Sequence, residues 1–408
     1  MVKATCQRAT SNKLLFGQDC IDVTNSSEVG ATVPKEWPKA TIALCTAGEL
    51  YGGIEAFVLA LAKQLRTSGD ANVLCVLFQD GELADELLKH DVPVRIVRER
   101  HKYDMGVIGQ LRDIFRQGDI EIIHTNGYKA NLLCGIAGRW AGAKLVKTEH
   151  GVVEPDHGRA PLKMRLNVKM DELVSRMTHD AVVFVSKDLE RLRGPGYGRA
   201  SKGVIYNGIG RNGTEGDGQE LDRDARGAPA RVKVCTVGRL TEIKGHLYLL
   251  RAMRQLGDLD NLEVHIFGNG PLEEELQLYC ARHGLTRQVI FRGFVRPIEP
   301  HLRQMDAMVI PSLHEGIPYA VLEGMAQGLA IVASAVGGIP EILRDGDTAL
   351  LVAPRDDNGL ACAIRSLYED AGLRRRLGRN ARRKVTTDLS IGAMAERYLH
   401  VYERLARS

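Results

Sequence analysis

A short apolar strand that leads through a glycine-containing loop into a helix decides the fold of this chain: AMVIPS (307–312) followed by HEGIPYAVLEGMAQG (314–328). Pro318 suits the first turn of a helix, which places Glu315 in the loop before the helix and Glu323 one turn inside it. Because helix N-termini bind anions and Gly316 lets the backbone approach a ligand, the segment predicts phosphate or sugar hydroxyls flanked by two carboxylates. An ordinary helix start with one solvated glutamate has the same pattern.

Apolar strands alternate with helical stretches on both sides of this segment. In the C-terminal half, strands are predicted at 232–238, 262–268, 288–293, 307–312, 330–334 and 349–353. In the N-terminal half, they are predicted at 41–48, 72–78, 92–97, 120–125, 144–150, 181–186 and 203–208. The alternation is typical of parallel sheets, whose ligands bind at the carboxyl ends of the strands. We therefore expect an α/β protein with two doubly wound, Rossmann-like domains that face each other across a cleft.

Changes in composition divide the chain into segments. Residues 1–38 are polar without periodicity, which predicts a flexible leader, and residues 208–230 are rich in glycine and charge, which predicts a linker. An N-terminal domain is expected at 39–207 and a C-terminal domain at 231–387.

The overall composition restricts the class of protein. The 408 residues are 44% hydrophobic and 26% charged, as in soluble globular proteins, which excludes a fibrous or largely disordered chain. The net charge of +4 is too small to make nucleic acid the main partner. The eight cysteines form no CxxC pair, so we expect reduced thiols in a cytoplasmic protein and no zinc site. The N-terminus lacks the apolar segment of a signal peptide, and no stretch predicts a membrane span.

The segment GRLTEIKG (238–245) carries two cations directly after a predicted strand. Arg239 and Lys244 could neutralise a diphosphate leaving group, the first through its bidentate fork and the second as a point charge. A solvated basic loop is an equal interpretation of this segment alone. The carboxyl ends of neighbouring parallel strands share one sheet edge, so these cations and the 314–328 segment support each other as a binding site.

Two segments in the N-terminal half are weaker candidates. GELYGGIEA (48–56) places Gly52 and Gly53 just before a predicted helix, where a diphosphate could approach the backbone. Its spacing is not that of a nicotinamide-binding GxGxxG motif, and the chain has no Walker A loop. TEHG (148–151) places His150 at a strand end, where it could bind a sugar hydroxyl or hold a developing charge, although a lone histidine is more often structural. The same caution applies to His124.

Taken together, these segments resemble the retaining glycosyltransferases of the GT-B fold, the group 1, family 4 set. The resemblance rests on Glu315 and Glu323 with seven residues between them, joined in order by GELYGGIEA, TEHG, VIYNG and GRLTEIKG. It covers about residues 40–400. It implies transfer of a sugar, by a hexosyl- or hexosaminyltransferase, from a nucleotide diphosphate sugar with retained anomeric configuration. It also implies that a final helix within 388–408 crosses back from the donor-binding C-terminal domain to the acceptor-binding N-terminal domain.

The resemblance implies a role for each matching residue. Arg239 and Lys244 would hold the diphosphate, Glu323 would accept hydrogen bonds from the ribose, and Glu315 and His150 would face the donor sugar. The implied catalytic set is Glu315, His150, Arg239 and Lys244. The implied substrate-binding set is Gly52, Gly53, Arg239, Lys244, Gly316, Ile317, Pro318, Tyr319, Ala320 and Glu323. No metal site and no cofactor are expected, because protein cations and a helix N-terminus already face the leaving group.

The implied partners are a UDP- or GDP-linked sugar donor and a glycan, lipid-linked or small-molecule acceptor, in polysaccharide or cell-envelope glycan synthesis. The basic run RRRLGRNARRK (374–384) could touch an anionic membrane, although a solvated helix face is the commoner explanation. The expected location is the cytoplasm, with peripheral contact at the inner face of the membrane. Three alternatives stay open: a glycosidase, a nucleotide-sugar epimerase, and a protein that binds nucleotide sugars without turnover.

Overall fold

A computed structural model describes the chain at residues 13–16, 19–22, 41–48, 52–99, 104, 106–151, 162–210 and 231–408. Two short strands near the N-terminus, β1 (Lys13–Phe16) and β2 (Asp19–Asp22), pair antiparallel within the segment predicted as a flexible leader. The rest of that leader and most of the predicted linker, 211–230, lie outside the described residues. No helix of the described part is both long and apolar enough to cross a bilayer.

The N-terminal domain is built on a seven-stranded parallel sheet. Its strands are β3 (Thr41–Thr46), β4 (Asn72–Leu77), β5 (Val94–Ile96), β6 (Ile122–Asn126), β7 (Lys144–Glu149), β8 (Ala181–Phe184) and β9 (Ser201–Val204). Its helices are α1 (Gly53–Ser68), α2 (Glu82–Lys89), α3 (Gly106–Gln117), α4 (Tyr128–Ala141), α5 (Leu162–Thr178) and α6 (Lys187–Arg193). The strand order is β5-β4-β3-β6-β7-β8-β9.

The C-terminal domain is built on a six-stranded parallel sheet. Its strands are β10 (Val232–Val237), β11 (Leu262–Phe267), β12 (Val289–Gly293), β13 (Ala307–Ile310), β14 (Ala330–Ser334) and β15 (Leu350–Val352), in the order β12-β11-β10-β13-β14-β15. Its helices are α7 (His246–Gln255), α8 (Glu273–Arg282), α9 (Glu299–Leu302), α10 (Tyr319–Ala326), α11 (Ile339–Ile342), α12 (Asp357–Glu369), α13 (Ala371–Asp388) and α14 (Ile391–Ala406).

Both sheets are doubly wound, as the alternation of strands and helices predicts. Strands at the centre of the sheets are buried because helices cover both faces; every residue of β13 and β14, for example, is buried. In each sheet the strand order reverses once, between β3 and β6 and between β10 and β13. Such a reversal opens a crevice at the carboxyl ends of the two strands, which is where open sheets bind ligands.

The two domains share core contacts instead of meeting only through the linker. One apolar cluster joins Phe184 and Val185 of the N-terminal domain to Ile317 and Ile339 of the C-terminal domain. The last helix, α14, packs against α1 and β7 of the N-terminal sheet. This packing arises because Met394, Tyr398, Val401 and Leu405 recur at helical spacing and are all buried.

Most strands lie within two residues of their predicted bounds, and one is displaced further. The strand predicted at 203–208 is β9, Ser201–Val204, which begins two residues earlier. Ser201 and Lys202 are half-buried on an edge strand, so the apolar pattern begins only after the strand has started. Asn207 leaves the sheet and donates a hydrogen bond to the carbonyl oxygen of Ile317, 2.7 Å away, so the apolar run continues into an interdomain contact.

Candidate active site

The carboxyl ends of the two sheets meet at one backbone contact. Gly316, in the loop after β13, lies so close to His150, after β7, that a Cβ atom on Gly316 would be 2.5 Å from the His150 carbonyl oxygen. The same Cβ would be 2.8 Å from Cγ2 of Val185. Only glycine permits this approach. The structure therefore brings the predicted C-terminal segment and the predicted TEHG segment together.

Lys244 and Glu315 form an ion pair beside this contact. Lys244 Nζ lies 2.7 Å from Oε1 of Glu315, and the Ser312 hydroxyl donates to the same oxygen over 2.7 Å. The carboxylate is only 9% exposed, whereas the Lys244 side chain is 28% exposed. Sequence reasoning placed one residue on the diphosphate and the other on the sugar, and missed Ser312 although it ends a predicted strand. A diphosphate that binds Lys244 therefore competes with Glu315.

Arg239 and Glu323 lie on either side of that ion pair in the chain. Arg239 follows β10 and is exposed, and its side chain has no partner among the described residues. Glu323 is half-buried inside α10, as predicted. Loss of solvent around it, with a smaller effect from Glu299, raises the pKa of Glu323 to about 7, while Arg296 opposes the shift. This carboxyl therefore binds a proton more readily than an ordinary glutamate does.

The helix α10 begins one residue later than predicted. Pro318 has extended backbone angles and precedes the first helical residue, Tyr319, because its ring fixes φ while ψ stays outside the helical range. The first intrahelical acceptor is the Pro318 carbonyl, which receives the N–H of Leu322. The N–H groups at the start of the helix therefore face the loop of Gly316 and Ile317, where they form the positive end of the helix dipole.

His150 is held by Asn126, a residue that sequence reasoning did not single out although HTNG ends a predicted strand. His150 Nε2 lies 2.8 Å from Asn126 Oδ1, and the Asn126 amide nitrogen faces the carbonyl oxygens of Cys45 and His124. Because only the N–H₂ end of the amide can face two carbonyls, Oδ1 must accept from His150. Nε2 then carries the proton and Nδ1 is an acceptor. Burial lowers the pKa of His150 to about 4, so the ring is neutral and suited to accept a hydroxyl hydrogen bond.

His124 has a structural role, which the sequence analysis named as the more common role of a lone histidine. Its Nδ1 lies 2.7 Å from the Tyr402 hydroxyl and its Nε2 lies 2.7 Å from Thr148 Oγ1. Thr148 in turn contacts the Tyr398 hydroxyl at 2.9 Å. Burial lowers the pKa of His124 to about 3. This polar network ties α14 to β6 and β7.

The glycine turn at the start of α1 is partly occupied by its own helix. The Gly52 N–H donates to Glu55 Oε2 over 3.0 Å, a carboxylate cap in the first helical turn. Gly53 is exposed, and residues 49–51 lie outside the described residues. The same helix places Phe57 against His150, with ring centroids 4.8 Å apart.

Glu341 of α11 fastens the C-terminal domain to the N-terminal domain near this site. Its carboxylate accepts the N–H groups of Lys187 and Asp188, each over 2.9 Å, and the Tyr206 hydroxyl over 2.9 Å. Within the described ranges, no group of three or more His, Cys, Asp or Glu side chains is placed to hold a metal ion. The side chains near Gly316 thus comprise cations, carboxylates and a neutral histidine.

Two family models match the two halves of the chain. Glycosyltransferase Family 4 matches residues 51–211, and Glycosyl transferases group 1 matches residues 231–370. The chain belongs to this family of glycosyltransferases. The matches cover the segments with His150 in one domain and Lys244, Glu315 and Glu323 in the other, so the resemblance seen in the sequence is confirmed.

Similar proteins extend this result. An uncharacterized glycosyltransferase of Methanocaldococcus jannaschii is 32% identical over 169 residues, 41% of this chain and 43% of that protein. The lipopolysaccharide core biosynthesis glycosyltransferase LpsD of Rhizobium meliloti is 33% identical over 171 residues, 42% of this chain and 49% of that protein. The chain thus spans about half the length of these curated relatives. Anabaena HepE, solved in complex with UDP-glucose, has a TM-score of 0.78 at 22% identity over 89% of this chain and 99% of HepE, which confirms the GT-B fold.

Proposed function

We propose that the protein transfers a sugar from a nucleotide diphosphate sugar to an acceptor with retention of the anomeric configuration. The observation that carries this proposal is the contact between Gly316 and His150, with the Lys244–Glu315 ion pair and the start of α10 beside it. A ligand at this contact meets cationic groups from one domain and a neutral histidine from the other. A diphosphate joined to a sugar suits both sides.

Each residue then has a defined task in donor binding. Lys244 leaves Glu315 and binds the diphosphate together with Arg239, while Glu315 turns its carboxylate to the sugar hydroxyls. Glu323 accepts hydrogen bonds from the ribose. His150 accepts a sugar hydroxyl at Nδ1, because Asn126 holds the proton at Nε2. Backbone amides of 316–320 and the turn at Gly52 and Gly53 complete the walls of the cleft.

The chemistry follows from charge placement. The bond between sugar and phosphate breaks through an oxocarbenium-like state, and negative charge grows on the departing diphosphate. Arg239, Lys244 and the N-terminus of α10 stabilise that charge, so the proposed reaction uses neither a metal nor a cofactor. The leaving phosphate oxygen takes the acceptor proton while the acceptor oxygen bonds to the sugar on the same face. The sugar–phosphate C–O bond and the acceptor O–H bond break, while a sugar–acceptor C–O bond and a phosphate O–H bond form, so no enzyme nucleophile is required.

The substrates are proposed at the level of chemical class. A UDP- or GDP-linked sugar is the donor, and the UDP-glucose bound by HepE makes that compound the first probe. The acceptor is a glycan, a lipid-linked sugar or a small molecule. The similarity to LpsD supports a role in polysaccharide or cell-envelope glycan synthesis. We place the reaction in the cytoplasm, at the inner face of the membrane for a lipid-linked acceptor.

The test is binding and turnover of a panel of nucleotide sugars by the Lys244→Ala variant. We expect calorimetry to show at least tenfold weaker binding, since a lost charge-assisted hydrogen bond costs about 1.5–3 kcal/mol. Arg254→Ala, at the far end of α7, is the control and should bind as the wild type does. Turnover should persist in excess chelator. Release of free sugar from simple glycosides would indicate a glycosidase, and binding without any turnover would indicate a sensor; either result contradicts the proposal.

A further inference from the structure

Helix α5 exposes a row of large apolar side chains. Leu166, Met170, Leu173 and Met177 are 58%, 43%, 51% and 72% exposed. Their spacing of four, three and four residues puts them on one face of the helix. A helix packed on a globular domain normally turns such a row inward. In the described part of the chain, α5 is the only helix with four exposed large apolar residues in one row.

The charges of α5 are segregated with respect to this row. The two acids between residues 166 and 178 point away from it into ion pairs: Asp171 lies 2.6 Å from Lys147, and Glu172 lies 3.1 Å from Arg193. The exposed residues of the same stretch are apolar or basic, apart from one asparagine. They are Leu166, Asn167, Lys169, Met170, Leu173, Arg176 and Met177. The outer face of α5 is therefore apolar along its centre and positive along one side.

We propose that this outer face of α5 docks the protein on an anionic lipid surface. The four apolar side chains enter the boundary between headgroups and acyl chains, while Lys169 and Arg176 contact lipid phosphates. Charge complementarity favours this occupant over a second copy of the chain. A symmetric contact between two α5 faces would bring each Lys169 and Arg176 close to like charges.

The basic run at 374–384 is a poorer docking element. It lies in α13, where Arg374 and Arg376 donate to the carbonyl oxygens of Tyr368 and Gly346 over 3.0 and 2.8 Å. Those side chains hold neighbouring loops of the C-terminal domain. The exposed residues of α13 include no large apolar side chain. Attraction without insertion gives weaker and more salt-sensitive membrane binding.

The position of α5 would bring a docked lipid surface close to the candidate active site. His150 directly follows β7, and α5 is the next helix along the chain, so α5 starts at the sheet edge that carries the candidate active site. A lipid surface on α5 would therefore lie beside the cleft. This inference does not require sugar transfer, because it concerns binding of vesicles and can be measured without a donor.

The test is co-sedimentation of the full chain with vesicles of phosphatidylcholine alone, or of equal parts of phosphatidylcholine and phosphatidylglycerol. We expect binding to the anionic vesicles only. The double variant Leu173→Glu with Met177→Glu should reduce it about tenfold. Leu278→Glu is the matched control, since Leu278 is 48% exposed on α8, and it should bind as the wild type does. All three positions are exposed, so a melting curve should show that the variants stay folded.

Two further measurements distinguish lipid docking through α5 from lipid docking through α13 and from dimerisation of the chain. Lys169→Glu with Arg176→Glu should also reduce binding to anionic vesicles, whereas Arg383→Glu in α13 should have little effect. The proposal is overturned if the wild type ignores anionic vesicles or if Arg383→Glu alone abolishes binding. It is also overturned if sedimentation velocity shows a dimer that the Leu173→Glu and Met177→Glu substitutions disrupt.

Discussion

At the scale of single residues, the amide of Asn126 decides which nitrogen of His150 carries the proton. Asn126→Asp would place a carboxylate 2.8 Å from His150 Nε2. An adjacent anion favours imidazolium, so the pKa of His150 should rise from about 4 toward its ordinary value. The ¹⁵N shifts of the ring, followed by NMR against pH, report both the tautomer and the pKa.

The kinetic consequence of Asn126→Asp is equally specific. Once His150 binds a proton near neutral pH, Nδ1 no longer accepts a hydroxyl, so kcat should fall below the new pKa and recover above it. Asn261→Asp, at an exposed position before the amino end of β11, makes the same chemical change at the opposite edge of a sheet and should leave the pH profile unaltered. If kcat of Asn126→Asp were lower at every pH, with no change in the pH at which it falls, Asn126 would act only on folding.

The ion pair of Lys244 and Glu315 links donor binding to catalysis. In Glu315→Gln the lysine no longer has to leave a carboxylate before it meets a diphosphate. We therefore expect UDP to bind about fivefold more tightly, the equivalent of about 1 kcal/mol for a partly exposed pair, while kcat falls. Calorimetry with UDP and steady-state kinetics measure the two effects. Glu323→Gln should instead weaken UDP binding. A loss of UDP affinity in both Glu315→Gln and Glu323→Gln would contradict these separate roles of the two carboxylates.

At the scale of elements, α14 is held to the N-terminal sheet by polar as well as apolar contacts. Tyr402→Phe removes the partner of His124 Nδ1 in a buried site. An unsatisfied buried polar group costs about 1–3 kcal/mol, and the free energy of unfolding should drop by that amount in urea titrations. Tyr279→Phe is the control for the loss of a tyrosine hydroxyl, since Tyr279 is half-buried on α8. An equal loss in both variants would show that the network contributes nothing specific.

The sequence predicts strands, sheet type and most of the candidate site because these depend on local patterns. Apolar runs mark the buried strands, and strand ends mark the places where ligands bind. Pairings between side chains are different: Lys244 and Glu315 are 71 positions apart, and His124 and Tyr402 are 278 apart. Such partners meet only once the order of strands in the sheet is set. The start of β9 was mispredicted for a related reason, since an edge strand lacks a fully apolar pattern.

At the scale of the whole molecule, buried neutral histidines make stability depend on acid. Burial holds the pKa values of His124 and His179 at about 3 and those of His150 and His246 at about 4. In the unfolded chain each of these histidines has a pKa of about 6.5. The unfolded state therefore binds more protons below that pH, so stability is full above it and falls as pH decreases.

We accordingly expect the melting temperature to fall when pH is lowered from about 7 to about 5. Each histidine contributes about 2 kcal/mol of lost stability at the lower pH. His179→Gln should flatten the pH dependence, whereas His283→Gln, at an exposed position, should not. Scanning calorimetry of the wild type and both variants over this pH range tests the prediction. A melting temperature independent of pH would mean that the histidines are hydrated in the folded protein.

The contact at Gly316 limits how the two halves of the molecule can move. The clearance between its Cα and the His150 carbonyl is smaller than one methyl group. Neither partner in the contact is a side chain, so nothing there can step aside by changing rotamer. Any rotation that brings the two domains closer together is therefore limited by this backbone contact. The backbone at position 316 then acts as a mechanical stop that defines the closed end of that rotation.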